Sequence, residues 1–156
     1  MAKAGYSAVT GGAIALTGGT AKTVLGLKGH ANFGLDLKKV RIGFDGVTAT
    51  NVPVLVELGY CTWASNSPGT NSTSVTPAQI YGRATAVGAT AGKNWTTEPT
   101  AITTVEEWLL TPAGGLVLYD FPLGDTPDSA VSEGFVLRCN APAGVNVRAG
   151  LQFERC

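Results

Sequence analysis

Apolar residues recur at every second position over short stretches of this chain, and each stretch ends in Gly, Pro, Asn or Asp. In residues 40–44, Val40, Ile42 and Phe44 alternate with Arg41 and Gly43, a period of two that predicts a half-buried β-strand within residues 35–45. Asp45-Gly46 follows as a tight-turn signal. Val52, Val54, Val56 and Leu58 repeat the alternation, and Pro53 places that strand's start at an edge or at its first residue. Residues 100–110 alternate again, and Thr111-Pro112 ends them. The last third holds three further runs, residues 115–120, 134–140 and 145–154, separated by turn-forming segments at 121–128 and 141–144. In the final run Val145, Val147, Ala149, Leu151 and Phe153 share one face. That predicts a central strand packed on the core, completing a sheet.

Two polar segments interrupt the pattern. Residues 65–77, rich in Ser, Thr and Asn, predict an exposed loop. Thr76-Pro77 is placed to cap and open one helical turn before a strand over 80–90. Residues 92–99 form a second long connection around Trp95. Near the N-terminus, Thr10-Gly11-Gly12 and Thr17-Gly18-Gly19 bracket Ala13-Ile14-Ala15-Leu16. This predicts either a short strand between two glycine turns or an extended arm that orders against a partner. The sum is an all-β fold of about eight to ten antiparallel strands, a jelly-roll or β-sandwich. It divides into a Gly-rich N-terminal arm over residues 1–20 and a single domain over 21–156.

Composition sharpens this picture. Charged residues are 14% of the 156, well under the roughly 25% usual for soluble domains, which favours strands and turns and predicts a neutral surface. Eleven basic residues balance eleven acidic ones, so no net field draws the chain to nucleic acid or an anionic membrane. No apolar run reaches the roughly twenty residues of a membrane span. The one local excess is Lys38-Lys39-Val40-Arg41, where strand geometry sets Lys39 and Arg41 on one face and Lys38 with Val40 on the other. It reads as a solvated rim.

Candidate chemistry is sparse. The only histidine is His30, no Gly-x-Ser-x-Gly elbow occurs, and neither phosphate-loop pattern is present. Cys61, Cys139 and Cys156 lack metal-ligand spacing and read as reduced, mostly buried thiols, with Cys156 as an exposed terminal thiol able to cross-link to a neighbour. Asp120, Asp125 and Asp128 read as turn caps rather than calcium ligands. Glu106 and Glu107 are adjacent, so a strand points them to opposite faces. No catalytic residue, metal site or cofactor is assigned, and the chain is expected not to be an enzyme. Trp95 is the best candidate for a sugar-stacking platform, while Trp108 reads as core or interface.

The low-charge Gly/Thr/Val texture, the Gly-rich arm of residues 4–20, the strands of residues 35–62 and the ending at 134–156 together resemble the small jelly-roll proteins that decorate tailed-phage capsids, often as trimers. The resemblance implies a cement protein, made in the host cytoplasm and carried on the virion surface. It implies contact with the major capsid protein lattice through the arm and sheet edges, without nucleic acid or membrane. Candidate partner contacts are Tyr6, Ile14 and Leu16 in the arm, Lys38, Lys39 and Arg41 on the rim, and Trp95. Removing residues 1–20 is expected to leave a folded protein that no longer binds capsids. A carbohydrate-binding jelly roll using Trp95 and the 65–77 loop is the alternative.

Overall fold

A computed structural model describes residues 4–45 and 52–156; the Asp45-Gly46 turn falls outside them. The described chain forms twelve strands: β1 (Gly5–Val9), β2 (Ile14–Leu16), β3 (Ala21–Lys28), β4 (Leu35–Asp45), β5 (Val54–Cys61), β6 (Thr73–Val75), β7 (Ala78–Tyr81), β8 (Thr90–Lys93), β9 (Ile102–Leu110), β10 (Val117–Asp120), β11 (Gly134–Asn140) and β12 (Val145–Arg155). One 3-10 turn, Pro112–Gly114, precedes β10. All pairings are antiparallel, in two six-stranded sheets. The first runs β10-β4-β12-β1-β7, with β2 also on β12; the second runs β6-β8-β3-β11-β5-β9.

The fold is therefore an all-β sandwich. Its core is the sum of the inward faces that the period-two patterns predict. Leu35, Leu37, Val40, Ile42, Val147, Leu151 and Phe153 come from the first sheet; Val24, Leu27, Val54, Val56, Leu58, Phe135 and Leu137 come from the second. The final strand is central, as its apolar face predicts. β12 pairs along nearly its whole length with β4, while β1 and β2 lie end to end along its other side.

The N-terminal residues are part of this sheet and not a separate arm. Ile14–Leu16 is the short strand between two glycine turns, with Gly11 at φ 67° and Gly19 at φ 74° where a side chain would be strained. β1 lies between β12 and β7. Tyr6, Ala8, Ile14 and Leu16 are buried in the main core, and Tyr6 stacks on Phe153 with ring centres 5.7 Å apart. Removing residues 1–20 would take out an interior strand and part of the core, so the expected folded truncation is corrected.

Two local expectations also change. The segment after Thr76-Pro77 is strand, because β7 pairs with β1 and its backbone groups are satisfied there. The strand expected over 80–90 is instead the end of β7 and the start of β8, with bends between.

Candidate binding surfaces

Of the residues singled out as partner contacts, Tyr6, Ile14 and Leu16 are core side chains and cannot touch a partner in the folded state. Trp95 is corrected in the same way: it is 2% exposed. It lies on the outer face of the second sheet, where a small second core of Cys61, Trp63, Trp95 and Val136 forms. Registered positions across four strands read Gly92, Gly26, Val136 and Gly59, a row of small residues that leaves a trough. The two indoles fill it. A methyl group on Gly26 would lie 2.8 Å from Trp95 Cη2 and 2.9 Å from Trp63 Cη2.

The loops carrying these rings are tightly tied. Trp63 and Trp95 stack with ring centres 5.9 Å apart. Trp63 Nε1 donates to the Leu27 carbonyl at 3.1 Å, and Trp95 Nε1 to the Asn66 carbonyl at 2.8 Å. Asn66 Nδ2 donates to the Glu98 carbonyl, and the Glu98 carboxylate accepts from the Thr23 backbone N–H and hydroxyl. Trp63, Asn66, Asn71, Asn94 and Ala101 all take positive φ here, conformations the surrounding contacts must hold. Sequence reading missed this cluster because Gly26 and Gly92 look like ordinary strand glycines.

The basic rim lies on the outer face of the first sheet. A β-bulge between Gln152 and Phe153 changes its predicted layout. The extra residue on β4 turns Lys38 outward beside Lys39, so Lys38 does not share the Val40 face. Lys38 Nζ pairs with Asp36 and lies 3.4 Å from Glu154 Oε2. Tyr81 donates its hydroxyl proton to Glu154 Oε1 at 2.7 Å. Burial alone would lower the Lys38 pKa, but Asp36 and Glu154 outweigh it and hold it above the usual lysine value. Although the Tyr81 ring is half exposed, desolvation of its hydroxyl, followed by the Glu154 hydrogen bond and charge, pushes it up to about 12. Lys39 pairs with Asp120 at 2.9 Å. These two lysines are internally satisfied.

Arg41 differs. Its Nε is buried and has no hydrogen-bond partner. It belongs to a row that crosses four strands, Val9, Gly150, Arg41 and Leu118, with Gly150 leaving a depression between its neighbours. Val9, Gly11, Arg41, Leu116, Arg148 and Gly150 line the resulting groove, of about 310 Å³. Arg148, at its rim, is paired with Asp45 at 2.7 Å.

Beside this groove lie two strands that have no further strand partner among the described residues, β10 at the edge of the first sheet and β9 at the edge of the second. Leu109, Leu116 and Leu123 are 70%, 68% and 94% exposed, with Val105 and Leu118 also uncovered. Trp108, by contrast, is half-buried against Tyr119. Among the described residues no group of three or more His, Cys, Asp or Glu is placed to hold a metal ion, and no helix is long and apolar enough to cross a membrane. The three cysteines are free thiols, Cys61 and Cys139 buried and Cys156 exposed. The class this defines is an antiparallel β-sandwich with an apolar, edge-centred surface. No protein-family model, curated protein or solved structure matches the chain.

Proposed function

We propose that this protein is a structural module that seats on the outer surface of an assembled viral capsid as a homotrimer and stabilises the lattice. The observation that carries the reading is the set of uncovered leucines and valines along β9, β10 and the following turn. Unpaired edges with apolar side chains are a liability in a free monomer and a contact surface in an assembly. The strand order supports the jelly-roll form of the reading. β10-β4-β12-β1 faces β3-β11-β5-β9, with sequence-adjacent strands mostly in opposite sheets, and β6, β7 and β8 extend the far edges.

The mechanism is thermodynamic. A protein that binds the assembled lattice and not the dissociated subunits stabilises assembly by mass action. Three copies joined in one body multiply modest contacts through effective concentration. The carbohydrate alternative depended on an exposed Trp95, and the buried ring removes that platform. The test is the thermal disassembly of capsids from the virus that encodes the chain, with and without added protein. A rise in disassembly temperature that saturates at a fixed ratio to capsid subunits is expected. An unchanged temperature at saturating protein refutes the proposal.

A further inference from the structure

The turn after β10 presents a side chain that stands almost wholly exposed. Asp125 N–H donates to the Pro122 carbonyl at 3.0 Å and Gly124 has φ 98°, a turn of the type II kind with Leu123 at its tip. Gly124 takes the positive φ that this turn requires at low cost, and Leu123 stands at its tip as an apolar knob, 94% exposed. Two residues on, the exposed Asp125 carboxylate has no ion-pair partner among the described residues.

The groove on the first sheet is the complement. Val9 and Leu116 give it apolar walls, Gly150 gives it depth, and Arg41 brings a guanidinium whose Nε is unsatisfied. A buried, unpaired donor is costly unless a partner supplies the acceptor. A groove of this size, at the low end for binding pockets, suits one large side chain. The knob supplies the apolar group, and its carboxylate supplies the opposite charge for the guanidinium.

We propose that copies of this chain join head to tail, with Leu123 of one copy entering the Val9–Gly150–Arg41–Leu116 groove of the next and Asp125 pairing with Arg41. Such a heterologous contact closes into a ring when its rotation allows, and a ring of three is the form the decoration reading requires. The contact rests on that reading only for the number three; whether copies associate through these residues is decided without any capsid.

The test is sedimentation velocity of the full chain from 1 to ~300 µM, a span of over two decades in concentration, wide enough to expose contacts of micromolar strength. The wild type is compared with Leu123→Asp, Arg41→Glu and the double variant Arg41→Glu/Asp125→Arg, with near-UV circular dichroism as the control for folding. The wild type is expected to sediment as a multiple of the 15.9 kDa chain. Each single variant should dissociate at least about tenfold more readily, and the double variant should recover association because the charges are exchanged. An equimolar mixture of the two single variants retains one intact knob and one intact groove, so it should form a two-chain species that neither forms alone. A wild type that stays monomeric throughout overturns the contact. So does an oligomer that both single variants leave intact, or one that responds to only one of them. A confirmed ring that binds no capsid would sink the decoration reading and leave the contact standing.

Discussion

Replacing Trp95 with alanine is the sharpest test of how the second sheet is covered. The indole is buried against Gly26, Gly92 and Trp63, and its ring nitrogen is spent on the Asn66 carbonyl. A Trp buries about 150–250 Å², worth roughly 4–6 kcal/mol at about 25 cal/mol per Å², and alanine keeps a small part of that. Measured Trp→Ala substitutions in cores cost about 3–5 kcal/mol. We therefore expect a loss of about 4 kcal/mol. In a domain of this size each kcal/mol shifts Tm by about 2–4 °C, so the transition should fall by roughly 8–16 °C in scanning calorimetry. Trp95→Phe, which keeps an aromatic ring but loses the donor, should lose about half as much. The double variant with Trp63→Ala should show coupling, because stacked rings share their contacts. A fall of less than about 4 °C for Trp95→Ala would mean that the ring is not seated in the trough, and the assignment of Trp95 to structure would fail.

Gly26→Ala sets two effects against each other: relief of a strand glycine, worth about 0.5–1 kcal/mol, and overpacking against two rigid rings, about 1–3 kcal/mol. The contacts at 2.8 and 2.9 Å decide for overpacking, so chemical denaturation should show a net loss of about 1–2 kcal/mol that shrinks in the Trp95→Ala background. Stability should also fall as pH rises from 10 towards 12. Below pH 10 Tyr81 is protonated in both states; above it the unfolded chain ionises first while the folded Tyr81 keeps its proton, and the raised Lys38 acts in the same direction. Tyr81→Phe should flatten that alkaline limb in denaturation measured across pH, and an unchanged limb would remove the Tyr81–Glu154 bond from the account. At the acid end, Arg138 holds the Glu57 carboxyl below its usual value, at 2.9 Å, so this contribution is present above pH 4.5 and fades as Glu57 takes up a proton. All three thiols are raised, Cys139 to about 12, mainly by burial, so exposure decides between them: Cys61 and Cys139 are buried and Cys156 is exposed, and mass spectrometry after iodoacetamide treatment of the native protein should find Cys156 alone modified.

The strands that alternate over seven or more residues were legible from sequence, because a sheet with one buried face leaves a period-two record. Leu35–Asp45 matches its predicted span and β12 extends its own by one residue, while Gly134–Asn140, buried on both faces, was legible as an apolar run bounded by turn residues. The short edge strands were not. Ala78–Tyr81 is exposed throughout, so it carries no burial pattern, and only its pairing with β1 makes it a strand. The N-terminal residues misled for a related reason. Tyr6, Ile14 and Leu16 stand among glycines and alanines, and their burial depends on β12, more than 120 residues away. The rim was half legible: the pattern Lys38-Lys39-Val40-Arg41 marks a basic strand, but the bulge that turns Lys38 outward is set by pairing with β12. The groove at Arg41 depends on Val9 and Gly150 lying in its row with Leu116 beside them, a juxtaposition of distant segments that no local spacing encodes.

The central claim is that this protein recognises an assembled lattice. The direct measurement is co-sedimentation of the full chain with intact capsids of the virus proposed to encode it, run beside the same capsid protein dissociated into subunits. Saturable pelleting at a fixed ratio to capsid subunits is expected, with no complex formed with the dissociated subunits. Protein that stays in the supernatant at saturating capsid, or that binds free subunits equally well, would contradict it.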